Sequence, residues 1–198
     1  MLNMLGRTAS LLFCCDIRRR KCMIYLIAGT SHTGKTVLAR KLLRRHQIPS
    51  LSIDHLKMGL IRSGQTRLSP ADDEALTDYL WPIVREMIKT AIENDQSMIV
   101  EGCYIPHNWR EGFGPGYLAQ IRCRWLIMTR RYIENHWADI LAHANDAERR
   151  LWSGPDREEL ILDNERNLEL CKKYDSEFVL IDDSYPIHLE EVYDHPAI

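Results

Sequence analysis

The amino-acid sequence predicts an α/β protein, with a five-stranded parallel β-sheet and helices on both of its faces. From Met23 onward, short apolar runs alternate with longer runs in which apolar residues recur at three- and four-residue steps. This is the pattern of strands that alternate with amphipathic helices. A chain of 198 residues is long enough for one domain with a full core and short for two. We therefore predict a single domain over 23–198.

Five short apolar runs, each bounded by polar or turn-forming residues, are predicted as strands. In chain order they are 23–28, 49–53, 97–102, 124–128 and 177–182, of which the second has the weakest pattern. Because helical segments separate consecutive strands, we expect the strands to pair in parallel through right-handed crossovers.

Amphipathic segments between and after these strands are predicted as helices, over 34–46, 74–94, 131–151, 156–174 and, for a short one, 187–194. The segment 74–94 has the clearest period, and Pro82 within it indicates a kink or a fresh start. The segment 103–117 contains three glycines and two prolines and is predicted as a loop. It follows the carboxyl end of a strand, where open α/β sheets bind ligands.

The overall composition indicates an ordinary globular protein, with 45% hydrophobic and 27% charged residues and a net charge of −2. This charge gives no support to a nucleic-acid partner. No run approaches the roughly 18 apolar residues that span a bilayer, so we expect no membrane segment. The six cysteines contain no CxxC pair, which favours reduced thiols in a cytoplasmic protein.

Residues 1–22 differ in charge from the rest of the chain. They carry five basic side chains against one acid, a local charge of +4, so that −6 remains for the other residues. The short apolar run "TASLLFCC" precedes "RRRK", and this order does not fit a targeting segment. We expect 1–22 to be an extension outside the fold, disordered or upstream of a native start at Met23.

The stretch "GTSHTGKT" lies between the first predicted strand and the first predicted helix. It matches the phosphate-loop pattern G-x-x-x-x-G-K-[ST] at every fixed position. Backbone N–H groups of such a loop face one anionic centre, and the following helix adds its positive end. The predicted nucleotide-binding residues are Gly29, Thr30, Ser31, His32, Thr33, Gly34, Lys35 and Thr36. Lys35 is expected to reach the terminal phosphates, and Thr36 to place its hydroxyl on Mg²⁺.

Phosphate loops occur in GTPases, motor ATPases and small-molecule kinases, and two of these classes lack their further motifs here. The sequence has no guanine-reading N-K-x-D, and the apolar strand at 97–102 ends in "IVEG" rather than in aspartate. From about Met23 to its end, the chain resembles the P-loop small-molecule and nucleotide kinases, such as shikimate, gluconate and adenylate kinases and the zeta-toxin-like group. The resemblance implies the P-loop NTPase fold with a helical lid, ATP and Mg²⁺ as cofactors, and a small-molecule acceptor.

In that family a carboxylate at the end of the second strand faces the acceptor hydroxyl and the metal. Asp54, 18 residues after Thr36, occupies the corresponding place and is expected to orient and deprotonate the acceptor and to bind the metal. The alternative is that Asp54 only caps the helix "HLKMGLIR". Several family members have a second acid two residues earlier, whereas this chain has Ser52.

The resemblance also suggests residues for the acceptor and the metal. Arg62, eight residues beyond Asp54, is expected to hold an anionic group of the acceptor; the alternative is a solvated arginine. Glu101 and Gly102 close the third strand, where the family places groups that face the substrate and the metal. Glu101 is expected to take the role of the missing aspartate through a metal-bound water; the alternative is a structural acid. Tyr104 is expected to shape the acceptor pocket, with the residues that follow it in the loop.

Family members have a mobile lid after the fourth strand, and its arginines neutralise charge on the transferring group. The candidates are Arg130, Arg131, Arg149, Arg150 and Arg157. Arg149 and Arg150 are preferred, because they directly precede the helix-breaking run "WSGPD"; the alternative is a solvated helix face. The segment 181–186 is expected to contact adenine.

The sequence leaves the reaction open between several alternatives. The first is a kinase of a small acceptor, and the second is a nucleotide or nucleotide-sugar kinase. A third is a regulatory module that binds ATP without transferring phosphate, although retention of both Asp54 and Glu101 weighs against it. A kinase of RNA ends would need a basic groove, which the charge of −6 over the main part of the chain does not favour. The sequence predicts neither the acceptor nor the oligomeric state.

Overall fold

The five strands form one fully parallel sheet. The computed structural model describes residues 22–143, 156–186 and 193. Its strands are β1 (Ile24–Gly29), β2 (Ser50–Ser52), β3 (Met98–Glu101), β4 (Ile121–Met128) and β5 (Phe178–Ile181), in the spatial order β2-β3-β1-β4-β5. β1 lies at the centre of the sheet and pairs with β3 on one side and β4 on the other.

Helices follow the strands along the described chain. They are α1 (Lys35–His46), α2 (Ile53–Arg62), α3 (Asp73–Glu93), α4 (Pro115–Leu118), α5 (Arg130–Asn135), α6 (Trp137–His143) and α7 (Arg157–Lys173). α3 runs as one helix through Pro82, which is exposed, so Pro82 does not begin a new helix. Within the described residues, we find no helix with the length and apolar character needed to cross a membrane.

Each face of the sheet has its own core, because successive strand residues point to opposite faces. On one face Leu26 and Val100 pack against α2 and α3. On the other face Ile27 and Ile99 pack against α1, α5 and α6. The predicted two-sided sheet is therefore confirmed.

Several boundaries differ from those predicted. β4 begins at Ile121, three residues before the predicted start, because Ile121 and Cys123 face the core while Arg122 and Arg124 alternate with them. The loop predicted over 103–117 contains the start of the short helix α4, with Pro115 at its first position. Cys22, which the prediction placed in the extension, is buried, and its Sγ donates to the carbonyl of Gln96 at 3.2 Å.

The helix predicted over 131–151 is two helices where the structure describes it. α5 ends at Asn135. The N–H of the next residue, His136, donates to the Tyr132 carbonyl, and α6 begins at Trp137. Residues 144–151, with Arg149 and Arg150, lie outside the described residues. The helix predicted at 187–194 does so as well, except for Tyr193, which is buried and donates to the Leu26 carbonyl at 2.8 Å.

Candidate functional site

The carboxyl ends of β1, β2 and β3 lie side by side and bring the predicted site residues to one edge of the sheet. Glu101 pairs in register with Ile27 of β1 and with Ser52 of β2. The phosphate loop begins where β1 ends, and α2 begins directly after Ser52. Asp54, Glu101 and the loop therefore come from three neighbouring strand ends.

Backbone geometry explains the two fixed glycines of the phosphate loop. Gly29 has φ of 136°, and a Cβ there would lie 2.5 Å from the carbonyl oxygen of Leu126. Gly34 has φ of 85°, and a Cβ there would overlap the hydroxyl of Tyr185. Both positions need a residue without a side chain, because positive φ and close neighbours exclude a Cβ. His32 also has positive φ, at 65°.

Inside the loop, the carbonyl oxygen of Thr30 accepts two hydrogen bonds. The Nζ of Lys35 donates to the carbonyl of Thr30 at 2.6 Å, and the hydroxyl of Thr33 donates to the same oxygen at 2.9 Å. Lys35 is only 6% exposed. Its ammonium group is thus oriented toward the loop backbone at the start of α1, where the helix end also favours an anion.

Two of the three residues expected to bind Mg²⁺, Thr36 and Glu101, are adjacent. The hydroxyl of Thr36 donates to Oε1 of Glu101 at 3.3 Å, and Glu101 is 2% exposed. Ser52, the register neighbour of Glu101, has a buried hydroxyl without a hydrogen-bond partner among the described residues. Hydroxyl and carboxylate oxygens suit this ion, which usually takes one or two protein carboxylates and otherwise phosphate and water. The residues present therefore fit Mg²⁺, although no group of three His, Cys, Asp or Glu residues in the described part of the chain forms a protein-only metal site.

Asp54 lies in the first turn of α2, and its carboxylate belongs to a connected network. The helix begins one residue earlier, at Ile53, so the alternative of Asp54 as the cap residue is wrong. The Nζ of Lys57 donates to Asp54 at 2.7 Å and to the hydroxyl of Tyr104 at 2.8 Å. That hydroxyl donates in turn to Asp73 at 2.9 Å.

The network fixes the side chain of Tyr104 in a buried position. Burial raises the pKa of Tyr104, and the carboxylates of Asp73 and Asp54 raise the pKa further. The phenol is therefore a neutral donor over the physiological pH range. Lys57 was not among the predicted site residues, although its spacing of three residues from Asp54 on a helix is a usable signal.

Gly102 lets α2 approach the end of β3. A Cβ on Gly102 would lie 2.9 Å from Cβ of Ile53, so any side chain here would displace the first turn of α2. Gly102 thus sets the place of Asp54, which follows Ile53 directly. Arg62 ends α2 and is exposed, and it does not join the network around Asp54.

Two of the arginines considered for the lid form ion pairs with carboxylates of neighbouring elements. Arg130 pairs with Glu158 at 3.2 Å and with Glu165 at 3.0 Å, both on α7. Arg131 pairs with Asp182, whose pKa this guanidinium lowers. The preferred candidates Arg149 and Arg150 lie outside the described residues.

The segment after β5 touches the phosphate loop. The hydroxyl of Tyr185 donates to the carbonyl of Thr33 at 3.2 Å, and burial raises the pKa of Tyr185 to about 12. The segment predicted to contact adenine, 181–186, therefore lies next to the loop predicted to hold the phosphates.

The segment after β3 is held against α7 by His107. Its ring stacks on Trp125 with 3.8 Å between ring centroids, and its Nε2 bonds to Oδ1 of Asn167 at 2.9 Å. Burial lowers the pKa of His107 below 6.5. The neutral ring therefore holds the segment that carries Tyr104 against β4 and α7.

One further polar residue reaches the loop from a distant helix. Asn164 of α7 is fully buried and donates to the hydroxyl of Thr30 at 2.9 Å. No sequence pattern marks this contact, because 134 positions separate the two residues.

Comparisons with known proteins show the fold. No protein-family model matches the chain, and no curated protein matches it. A proposed kinase from Chloroflexus aurantiacus J-10-fl matches with a TM-score of 0.54 and 15% identity, over 90% of this chain and 100% of that chain. Shikimate kinase from Acinetobacter baumannii, in complex with shikimate, matches with a TM-score of 0.51 and 11% identity, over 87% of this chain and 89% of that chain. The chain has the P-loop NTPase fold, as the sequence predicts.

Proposed function

We propose that the chain is a kinase that moves the γ-phosphoryl group of ATP, with Mg²⁺, to a hydroxyl or phosphate of a small-molecule acceptor. One observation carries the proposal: a complete phosphate loop after β1 and the Asp54 carboxylate after β2 stand at the same edge of the sheet, on either side of the end of β3. A nucleotide-binding module needs the loop, whereas transfer also needs a positioned base.

The loop residues would hold the phosphates. Their glycines allow the backbone to turn its N–H groups toward an anion, and Lys35 adds a buried ammonium group. Thr36 and Glu101 would hold Mg²⁺, with the buried hydroxyl of Ser52 beside them. When bound, the ion neutralises charge on the phosphate oxygens.

Asp54 would orient the acceptor hydroxyl and take its proton. The ion pair with Lys57 and the chain of hydrogen bonds through Tyr104 to Asp73 hold the carboxylate in place. Positioning of this kind lowers the barrier, because the reacting groups need no further ordering. Gly102, Tyr104 and Arg62 would form the acceptor side of the site, with Arg62 reaching it from the end of α2.

Arg149 and Arg150 remain our candidates for the lid arginines that would stabilise charge on the transferring group. The ion pairs of Arg130 and Arg131 with α7 and with the segment after β5 support this choice. Both of those guanidinium groups already have carboxylate partners.

A screen of acceptor pools tests the proposal. The full chain is incubated with MgATP and pools of sugars, polyols, hydroxy acids, nucleosides and nucleotides, and ADP formation is measured against Lys35→Ala. We expect acceptor-dependent ADP in one pool and none with the variant. Transfer only to nucleosides or nucleotides would favour the alternative of a nucleotide kinase. Tight ATP binding without acceptor-dependent ADP would favour a non-catalytic regulatory module.

A further inference from the structure

Asn164 is a fully buried polar side chain that the proposed chemistry does not use. It lies on α7, between the Leu160 and Leu168 turns of that helix, and its exposure is 0%. A buried amide is costly unless its donors and its acceptor are bonded. Its hydrogen-bond partners therefore indicate what holds it there.

Three hydrogen bonds connect Asn164 to three parts of the fold. Its Nδ2 donates to the Leu160 carbonyl at 2.8 Å, within α7, and to the hydroxyl of Thr30 at 2.9 Å. Its Oδ1 accepts from the backbone N–H of Met128, the last residue of β4, at 2.8 Å. One amide thus joins α7, the end of β4 and the first loop residue after Gly29.

Thr30 passes this restraint on to the phosphate loop. Its carbonyl oxygen accepts from Nζ of Lys35 at 2.6 Å and from the hydroxyl of Thr33 at 2.9 Å. The position of the Thr30 backbone therefore helps to set the positions of the Lys35 ammonium group and of Thr33 in the middle of the loop.

We propose that Asn164 is a positioning residue of the nucleotide site, which acts through the Thr30 hydroxyl to hold Lys35 and Thr33 in their binding geometry. The inference rests on the proposed function, since it concerns affinity for the phosphates of ATP. A loop fixed before binding loses less conformational freedom on binding, so the link raises affinity without touching the ligand.

The alternative is that Asn164 only joins α7 to β4, and a double-mutant cycle separates the two roles. The variants are Thr30→Val, Asn164→Ala and their combination in the full chain. Thr30→Val replaces only the hydroxyl with a methyl group and leaves Asn164 bonded to Leu160 and Met128. Affinity for a non-hydrolysable ATP analogue with Mg²⁺ is measured by calorimetry, and the melting temperature is recorded in parallel.

We expect each single variant to weaken nucleotide binding by roughly 3- to 10-fold, the effect of one hydrogen bond. The double variant should bind nucleotide no less tightly than the single variant with the lower affinity, because both changes remove the same hydrogen bond between Asn164 and Thr30. Thr30→Ser, which restores the hydroxyl, should recover most of the affinity lost in Thr30→Val.

Asn167→Ala is the matched control. Asn167 lies one turn further along α7 and bonds to His107 rather than to the loop. This variant should lower the melting temperature while nucleotide affinity stays within about 2-fold of the wild type, a change smaller than one hydrogen bond.

If the wild type binds nucleotide, either of two results would overturn the inference. One is unchanged affinity in Thr30→Val, and the other is a double variant in which the two losses simply add. If Asn164→Ala does not fold, the comparison of Val with Ser at position 30 decides alone. Failure of the wild type to bind any nucleotide would instead contradict the proposed function and, with it, this inference.

Discussion

Asp54 is the side chain on which the proposed transfer depends, and its replacement separates transfer from binding. Asp54→Asn keeps the shape of the side chain and an oxygen for Lys57, but it removes the base. We expect turnover to fall by roughly 10²–10⁴-fold, the usual contribution of a positioned acid or base. Nucleotide affinity should change little, unless Asp54 also binds Mg²⁺ directly. Turnover and calorimetry on one preparation measure both quantities.

Asp73→Asn is the control for that experiment, because Asp73 lies at the other end of the same network and accepts from Tyr104. It should alter turnover much less than the change at Asp54. Near-normal turnover in Asp54→Asn would refute the role as base and direct attention to Glu101. Equal losses in both variants would assign the effect to the network as a whole.

His107 makes stability depend on pH in a direction set by its lowered pKa. In the unfolded chain a histidine has a pKa of about 6.5, whereas in the folded chain the ring of His107 stays neutral to lower pH. The unfolded state therefore binds more protons between these two values, and the free energy of unfolding falls as the pH drops below about 6.5. Above about pH 6.5 the ring is neutral in both states, so His107 no longer lowers the free energy of unfolding.

Urea unfolding at pH 7.5 and at pH 5.5 measures this dependence in the wild type and in His107→Phe. The phenyl ring keeps a stack on Trp125 but does not titrate. We expect the wild type to lose more stability than the variant between the two pH values. An equal loss in both would show that His107 contributes nothing to the pH dependence.

At the level of single residues, the sequence could predict functional residues that lie close together in one motif, but not hydrogen bonds between residues far apart in the chain. Lys35 and Thr36 are readable because the loop motif places all its groups within eight residues. The bonds from Lys57 to Tyr104 and from Asn164 to Thr30 were not predictable, because 47 and 134 positions separate the partners, whereas the pairing of Lys57 with Asp54 three residues away could have been read. Only folding brings these pairs together.

At the level of elements, Gly102 decides how closely α2 approaches the sheet. Gly102→Ala would place a Cβ 2.9 Å from Cβ of Ile53. We expect a loss of about 1–3 kcal/mol in the free energy of unfolding, as for other overpacked sites. Turnover should fall too, because the displaced first turn of α2 carries Asp54. Urea unfolding and turnover measure the two effects.

Gly59→Ala, on the same helix, controls for the added methyl group. A Cβ on Gly59 would have no atom within 4 Å, so alanine there should stabilise the helix by about 0.5–1 kcal/mol. If Gly102→Ala were as stable as Gly59→Ala, the close approach of α2 would not limit the fold.

The existence of most elements was predictable, and their ends were less so. Apolar periodicity predicted β1, α1, α3 and α7 to within one residue at each end. The break between α5 and α6 at His136 was not, because the apolar pattern continues across it and only the backbone geometry ends the helix. The start of β4 was missed, since two arginines alternate there with core residues.

At the scale of the whole molecule, the strand order explains why residues far apart in sequence form one site. β1 lies between β3 and β4, and β3 lies beside β2. The ends of β1, β2 and β3, where the phosphate loop, Asp54 and Glu101 lie, therefore meet at the carboxyl edge of the sheet. Alternating strands and helices predicted this edge as the ligand site. The acceptor did not follow from the sequence, because the side chains that we propose for its recognition, Arg62 and Tyr104, come from α2 and from the segment after β3, which only the fold brings to one edge.

The proposed function depends above all on the loop from Gly29 to Thr36, which we propose to bind the phosphates of a nucleotide. Calorimetric titration of the full chain with MgATP and with MgGTP, beside Lys35→Ala, tests it most directly. We expect saturable, Mg²⁺-dependent binding of ATP that Lys35→Ala weakens by roughly 10- to 100-fold, since it removes a charged hydrogen-bond donor to phosphate. The absence of binding by either nucleotide in the wild type, or equal binding in Lys35→Ala, would contradict the claim.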